Sequence, residues 1–251
     1  MIASLMMYAR PELEDAHTRL WTSLRRSFLA RGIEAPAALS QSAPSFEVWE
    51  NQHLILSQTC GMPYRTRLHD RLKLVGTPDY QLEGCPAGHY RSAIVVRADD
   101  PRAALGAYAE ARLAYNAPHS HSGFAALYNH AAQSGVWFAQ RVESGGHLAS
   151  ARMVAQGQAD IAALDAQTWR LIQRYEPWAN KLRVLEYTAP TPGLPLITSK
   201  AQDAELVFEA VAEAFDAVSP ADAAALDLHG LIRIPHADYL AVPNPPDNAL
   251  S

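Results

Sequence analysis

The chain has 251 residues, of which 49% are hydrophobic and 19% charged, enough to build one large α/β domain or two lobes of ordinary size. With 21 basic against 26 acidic side chains and a formal net charge of -5, it carries no field that would hold a polyanion, so no nucleic acid partner is expected. No apolar run approaches the ~20 residues of a transmembrane segment, Met1 to Tyr8 is too short for the apolar region of a secretory signal, and two cysteines, Cys60 and Cys85, are too few for a disulfide framework.

Ile2 to Tyr8 reads as a first buried strand. Pro11 then opens a helix with Glu12, Glu14 and Asp15 in its first turn, where carboxylates suit the positive helix end, and the helix stops near Gly32. His53 to Ser57 is a second strand, followed by the turn Gln58-Thr59-Cys60-Gly61 and an arginine-rich helical stretch. Cys60 and Cys85 both lie beside turn residues, which leaves open a single bridge between loops or two thiols. Leu72 to Val75 and Ala93 to Arg97 are further strands; Thr77 to Gly88 between them is turn-rich and is a candidate crossing between lobes.

From Asp100 the pattern restarts as a helix to about Glu110, strand Arg112 to Asn116, helix from Ser122, strand Trp137 to Val142, helix from His147, strand Asp160 to Leu164 and helix from Asp165. Strand Leu182 to Tyr187 leads into Thr188 to Pro195, where three prolines and a glycine interrupt any regular element and suggest a second crossing. An amphipathic helix over Ala204 to Val218, a second after Pro220, and a proline-rich tail at Pro243 to Pro246 complete the chain. Strands alternating with helices predict an α/β fold with mostly parallel sheets.

Chemistry concentrates where strands give way to helices. Tyr115-Asn116-Ala-Pro-His119-Ser120-His121-Ser122-Gly123 crowds hydroxyl and amide donors at one helix start. Unpaired N–H groups and the helix dipole favour a phosphate-like anion there, and Gly123 would admit it close to the backbone; alternatively, a serine simply caps the helix. His119 and His121 come with no further ligand cluster, so no metal is expected. His147 and Asp165 fall at two more strand-to-helix turns, the place where α/β sheets bind ligands, and the helix-cap reading suits Asp165 well.

Tyr8-x-x-Pro11, Gln58-Thr59-Cys60-Gly61, Tyr90-Arg91-Ser92, Asn116 with Ser120-His121-Ser122-Gly123, Ser144-Gly-Gly-His147 with Ser150, Gly157-x-x-Asp160, Asp165 and Pro192-Gly193-Leu-Pro195 follow one another from Ile2 to Thr198. In this order they resemble the phosphonate-binding (PhnD-like) substrate-binding proteins of ABC importers. The resemblance implies a two-lobed type II periplasmic-binding-protein fold (Venus-flytrap) with two interlobe crossings: lobe 1 from residues 1–88 plus 190–251, lobe 2 from residues 89–189. It implies a small oxyanion, a phosphonate, phosphate or phosphite, held by Ser120, His121, Ser122 and the amides of Ser122 and Gly123. Tyr8 and Thr59 would reach it from the first lobe, with Tyr90, Asn116 and His147 beside it and Asp165 facing a polar or cationic group of the ligand.

His121 departs from the family, which often has threonine between the two serines. The same resemblance implies a monomer that serves ABC permease subunits, needs no cofactor and works in the periplasm, although no signal peptide is visible and a cytoplasmic location stays open. Two other readings are a cytosolic enzyme using Cys60, His147 or Asp165, and a ligand-sensing module. No motif brings nucleophile, base and orienting group together, so no enzyme is expected.

Overall fold

In the computed structural model, which describes residues 1–250, the apolar start of the chain is a short strand, β1 (Ile2–Ser4). The strand expected to reach Tyr8 stops early because the Leu5 amide donates to the Gln41 side chain rather than to a neighbouring strand, and Met6–Tyr8 coils into a 3-10 turn. Helix α1 (Glu14–Ala30) and the short α2 (Ser45–Trp49) lead to β2 (Leu54–Gln58), parallel to β1. After α3 (Gly61–Pro63), which runs on into a π turn at Tyr64–Leu68, comes β3 (Leu72–Asp79). That strand takes in the first residues of the expected Thr77–Gly88 connection, and Asp79 closes the remaining loop by accepting from the Gln81 and Gly88 amides.

The short β4 (His89–Tyr90) precedes β5 (Ser92–Arg97), β6 (Arg112–Tyr115), α4 (Ala126–Ala132) and β7 (Gln140–Glu143). Then follow α5 (His147–Ala155), β8 (Ile161–Asp165), α6 (Ala166–Tyr175), β9 (Leu182–Tyr187) and β10 (Thr191–Pro192). The chain ends through β11 (Leu196–Ser199), α7 (Ala204–Asp216), α8 (Pro220–Leu226), β12 (Gly230–Ile232) and α9 (His236–Leu240).

Contacts divide these elements into two units, Met1–His89 with Pro192–Ala241, and Tyr90–Thr191 with the tail from Val242. The tail, expected with the first lobe, packs on the second unit because Asn129 and Trp137 donate to the carbonyls of Pro243 and Ala249. The short strands β4 and β10 pair with each other where the chain crosses.

Each unit has a five-stranded sheet, ordered β1-β2-β11-β3-β12 in the first and β7-β6-β8-β5-β9 in the second. Both are mixed, which corrects the expectation of mostly parallel sheets. β6 is parallel to β7 and β8, but β5 is antiparallel to β8 and β9; β11 is antiparallel to both β2 and β3. β5 and β11 are the strands that follow the crossings, so no crossover helix within their unit forces them into parallel order, and β12 at the edge is antiparallel to β3.

The apolar run Ala93-Ile94-Val95-Val96 is explained by burial on both faces of its sheet. Ala93 and Val95 enter a core with Ala151, Val154, Trp169 and Ile172; Ile94 and Val96 enter a second core with Tyr108, Leu127 and Phe138. Between β5 and β6 the expected helix is reduced to a 3-10 turn, Leu105–Tyr108. The Asp100 carboxylate takes the Arg102 amide and guanidinium across Pro101, a side-chain turn that competes with helix. The strand expected from Trp137 begins only at Gln140, because Trp137 packs against Phe124 and Tyr128 and Phe138 enters the core beside Leu127.

Candidate functional site

In the second unit β6 ends at Tyr115, and the helical stretch beginning with a π turn at His121–Ala125 starts after Ser120. Ser120 is extended and caps the helix: its Oγ accepts from the Gly123 amide at 3.1 Å. Ser120, His121 and Ser122 are all at most 4% exposed. Ser122 is held from both ends, since its carbonyl accepts from Ser92 Oγ at 2.8 Å and its Oγ meets His147 Nε2 at 3.0 Å. Gly123 is required by space: a Cβ there would stand 1.9 Å from Asn116 Oδ1 and 3.1 Å from His147 Cε1.

His147 is the first residue of α5. Burial pushes its imidazole down to about 4, with the Ala163 backbone carbonyl acting weakly in the opposite direction, so the ring is neutral near pH 7. Asn116 Nδ2 lies 3.5 Å from the same Nε2, so the Ser122 hydroxyl and the Asn116 carboxamide both face it. The preceding turn is fixed by Ser144 Oγ, which bonds Ser150 Oγ at 2.6 Å and the Tyr115 carbonyl at 3.1 Å.

Tyr90 is buried with its ring centroid 5.8 Å from that of His121, and His121 Nε2 lies 3.1 Å from Thr191 Oγ1. Asp165 caps α6, accepting from the Thr168 amide at 3.0 Å, and it is the register partner of Ser92 on β5. The structure therefore gathers Tyr90, Asn116, Ser120, His121, Ser122, Gly123 and His147 into one contiguous set of hydrogen bonds and ring contacts, with Asp165 one strand away through Ser92. Ser92, Thr188 and Thr191 went unrecognised as partners from the sequence. The Ser92 amide donates to Thr188 Oγ1 at 2.9 Å, a pairing across the sheet that leaves no local pattern.

Tyr8 and Thr59 belong to the first unit and form a group of their own. Tyr8 packs edge-on against Tyr80 at 5.0 Å, and the Tyr80 hydroxyl accepts from Gln58 Nε2 at 3.2 Å. Thr59 is fully buried, its amide donating to the Pro195 carbonyl at 3.0 Å. Tyr8, Thr59 and Tyr80 follow β1, β2 and β3, whose ends share one sheet edge, the edge at which such sheets receive ligands. Tyr80 was not singled out in the sequence because a lone tyrosine after a strand carries no signature. Cys60 and Cys85 are both thiols. No helix among the described residues is long and apolar enough to cross a membrane.

No curated protein matches the chain by sequence. Solved structures are similar in fold across nearly its whole length. PhnD1 from Prochlorococcus marinus in complex with methylphosphonate is 13% identical with a TM-score of 0.72, covering 95% of this chain and 93% of its own. A binding protein component of an ABC phosphonate transporter from Pseudomonas aeruginosa is 17% identical with a TM-score of 0.68, covering 96% and 82%. XAC2383 from Xanthomonas citri bound to ATP is 15% identical with a TM-score of 0.68, covering 94% and 91%. They share the two-lobed type II periplasmic-binding-protein fold with this chain. The family model described as ABC transporter, phosphonate, periplasmic substrate-binding protein matches residues 56–239, and the chain belongs to that family of transporter binding proteins.

Proposed function

We propose that the protein binds a small phosphorus oxyanion, a phosphonate, phosphate or phosphite, and delivers it to the permease of an ABC importer. The carrying observation is the set of groups at one helix start: buried Ser120, His121, Ser122 and Gly123, with Asn116 and the neutral His147 against them. First-turn amides and hydroxyls stabilise an anion through the helix dipole and short hydrogen bonds, with no permanent countercharge to hinder release. Because Ser120 already caps Gly123, the reading assigns Ser122 as the hydroxyl that turns from His147 Nε2 to the ligand. Asp165 is assigned to any cationic substituent the ligand carries.

Titration calorimetry with methylphosphonate, aminoethylphosphonate, phosphate, phosphite, sulfate and acetate tests the reading. A true ligand at 100-fold its Kd adds about 2.7 kcal/mol of stability. Absence of heat and of stabilisation with every phosphorus oxyanion overturns it.

A further inference from the structure

His121 lies between the two serines of the turn, and its side chain reaches away from them. It is 3% exposed, its Nε2 lies 3.1 Å from Thr191 Oγ1, and its ring sits 5.8 Å from the Tyr90 ring at an inclination of 43°. Tyr90 and Thr191 are the first and last residues of the continuous segment of the second unit, the points at which the chain enters and leaves it. They are also members of β4 and β10, which pair with each other. One imidazole at the start of the 121–132 helical stretch therefore touches both crossings.

We propose that His121 is a positioning residue that ties the anion-binding turn to both crossings, so that occupancy at residues 120–123 sets the conformation of the hinge strands. The inference rests on the function proposed above. Hinges are a few residues at element ends that absorb dihedral change, and β4 and β10 hold that place. A displacement of the helix start by a ligand moves the His121 backbone with it. The buried ring then passes the displacement to Tyr90 by packing and to Thr191 by its hydrogen bond, since a close-packed contact cannot yield on one side only. Ser92 completes the tie: two residues after Tyr90, it donates to the Ser122 carbonyl at 2.8 Å while its own amide donates to Thr188. Crossing and helix start are thus joined both by side chain and through the backbone.

Hydrogen exchange read by mass spectrometry on peptides covering residues 88–92, 119–126 and 188–193 decides the matter, using the full chain with and without methylphosphonate. In ligand-free His121→Ala both crossing peptides exchange about tenfold faster than in the parent, the size expected for a lost buried hydrogen bond and its packing. Thr191→Val, which keeps the branched shape and so the fold, speeds the 188–193 peptide in the same direction. With methylphosphonate the parent slows at all three peptides, whereas both variants slow at 119–126 and leave the crossings unprotected. Crossing peptides that exchange at the parent rate in both variants overturn the tie. If the parent shows no slowing at 119–126 with methylphosphonate, phosphate or phosphite, the anion-binding reading fails instead, and the ligand-free rates alone decide the tie.

Discussion

Ser122 and His147 share a hydrogen bond, Oγ to Nε2 at 3.0 Å, in which the imidazole is neutral. Neutrality follows from burial, which pushes the ring down to about 4 from an unfolded value of 6.5. Between those values the unfolded chain binds the proton and the folded one does not, so stability from this group is complete above pH 6.5 and is lost as pH falls toward 4, by up to about 1.4 kcal/mol per unit. Buried His17 is shifted in the same direction, again chiefly by burial, so the contribution of His147 is read as a difference. Urea unfolding of ligand-free His147→Gln and parent at pH 5, 6 and 7 is expected to show a shallower acid loss in the variant.

The two serines that flank His121 have different tasks. Ser120→Ala removes the cap on the Gly123 amide and is expected to cost about 1 kcal/mol of stability. Ser122→Ala leaves the cap in place and is expected to weaken binding of the best phosphorus oxyanion by roughly ten- to hundredfold, the loss of one hydrogen bond to a charged group. Urea midpoints and calorimetric affinities on both variants separate the effects; an unchanged affinity in Ser122→Ala removes the role assigned to its hydroxyl.

Gly123 is constrained by what lies over it. In Gly123→Ala the added Cβ meets Asn116 Oδ1 at 1.9 Å and forces that side chain away from His147, with an expected destabilisation of about 1–3 kcal/mol. Asn116→Ala on the same background removes the obstructing atoms and is expected to recover most of the loss, a non-additivity that a double-mutant cycle in urea measures.

Away from the site, Asp100 is buried at 7% exposure and bonds Arg102 at 2.6 Å. The Arg102 guanidinium holds its carboxyl well below the usual carboxylate range. A lowered carboxylate contributes stability that is present above about pH 4 and lost as pH falls below it. Asp100→Asn is expected to cost about 1–3 kcal/mol near neutral pH and to flatten the acid arm of the stability profile, which urea midpoints from pH 2.5 to 6 check.

Elements whose cause is local were legible in the sequence. The doubly buried runs of β5 and β8, the helix opened by Pro11, the cap at Asp165 and the crowded turn before His121 all announce themselves by period or by residue type. Strands β11 and β12 did not, because four and three residues carry too little pattern and their burial is supplied by distant segments. Direction was misjudged for the same reason: helices between strands suggest parallel order, yet β5 and β11, the strands that follow the crossings, run against their neighbours. Within the site, residue types at strand ends pointed to Ser120, Ser122 and His147. The neutral state of His147 and the partnership of His121 with Tyr90 and Thr191 arise only once residues far apart in sequence are buried together.

The placement of β11 between β2 and β3 means that the first sheet is joined only by a strand that comes late in the chain. Until residues beyond Pro195 leave the ribosome, β2 and β3 lack the strand that joins them, and each presents a raw edge able to pair wrongly. The Tyr90–Thr191 segment, by contrast, is contiguous and carries its whole five-stranded sheet. The sheet of the second unit thus needs no strand from outside its own segment, while that of the first is closed only by a strand made after the second sheet is complete.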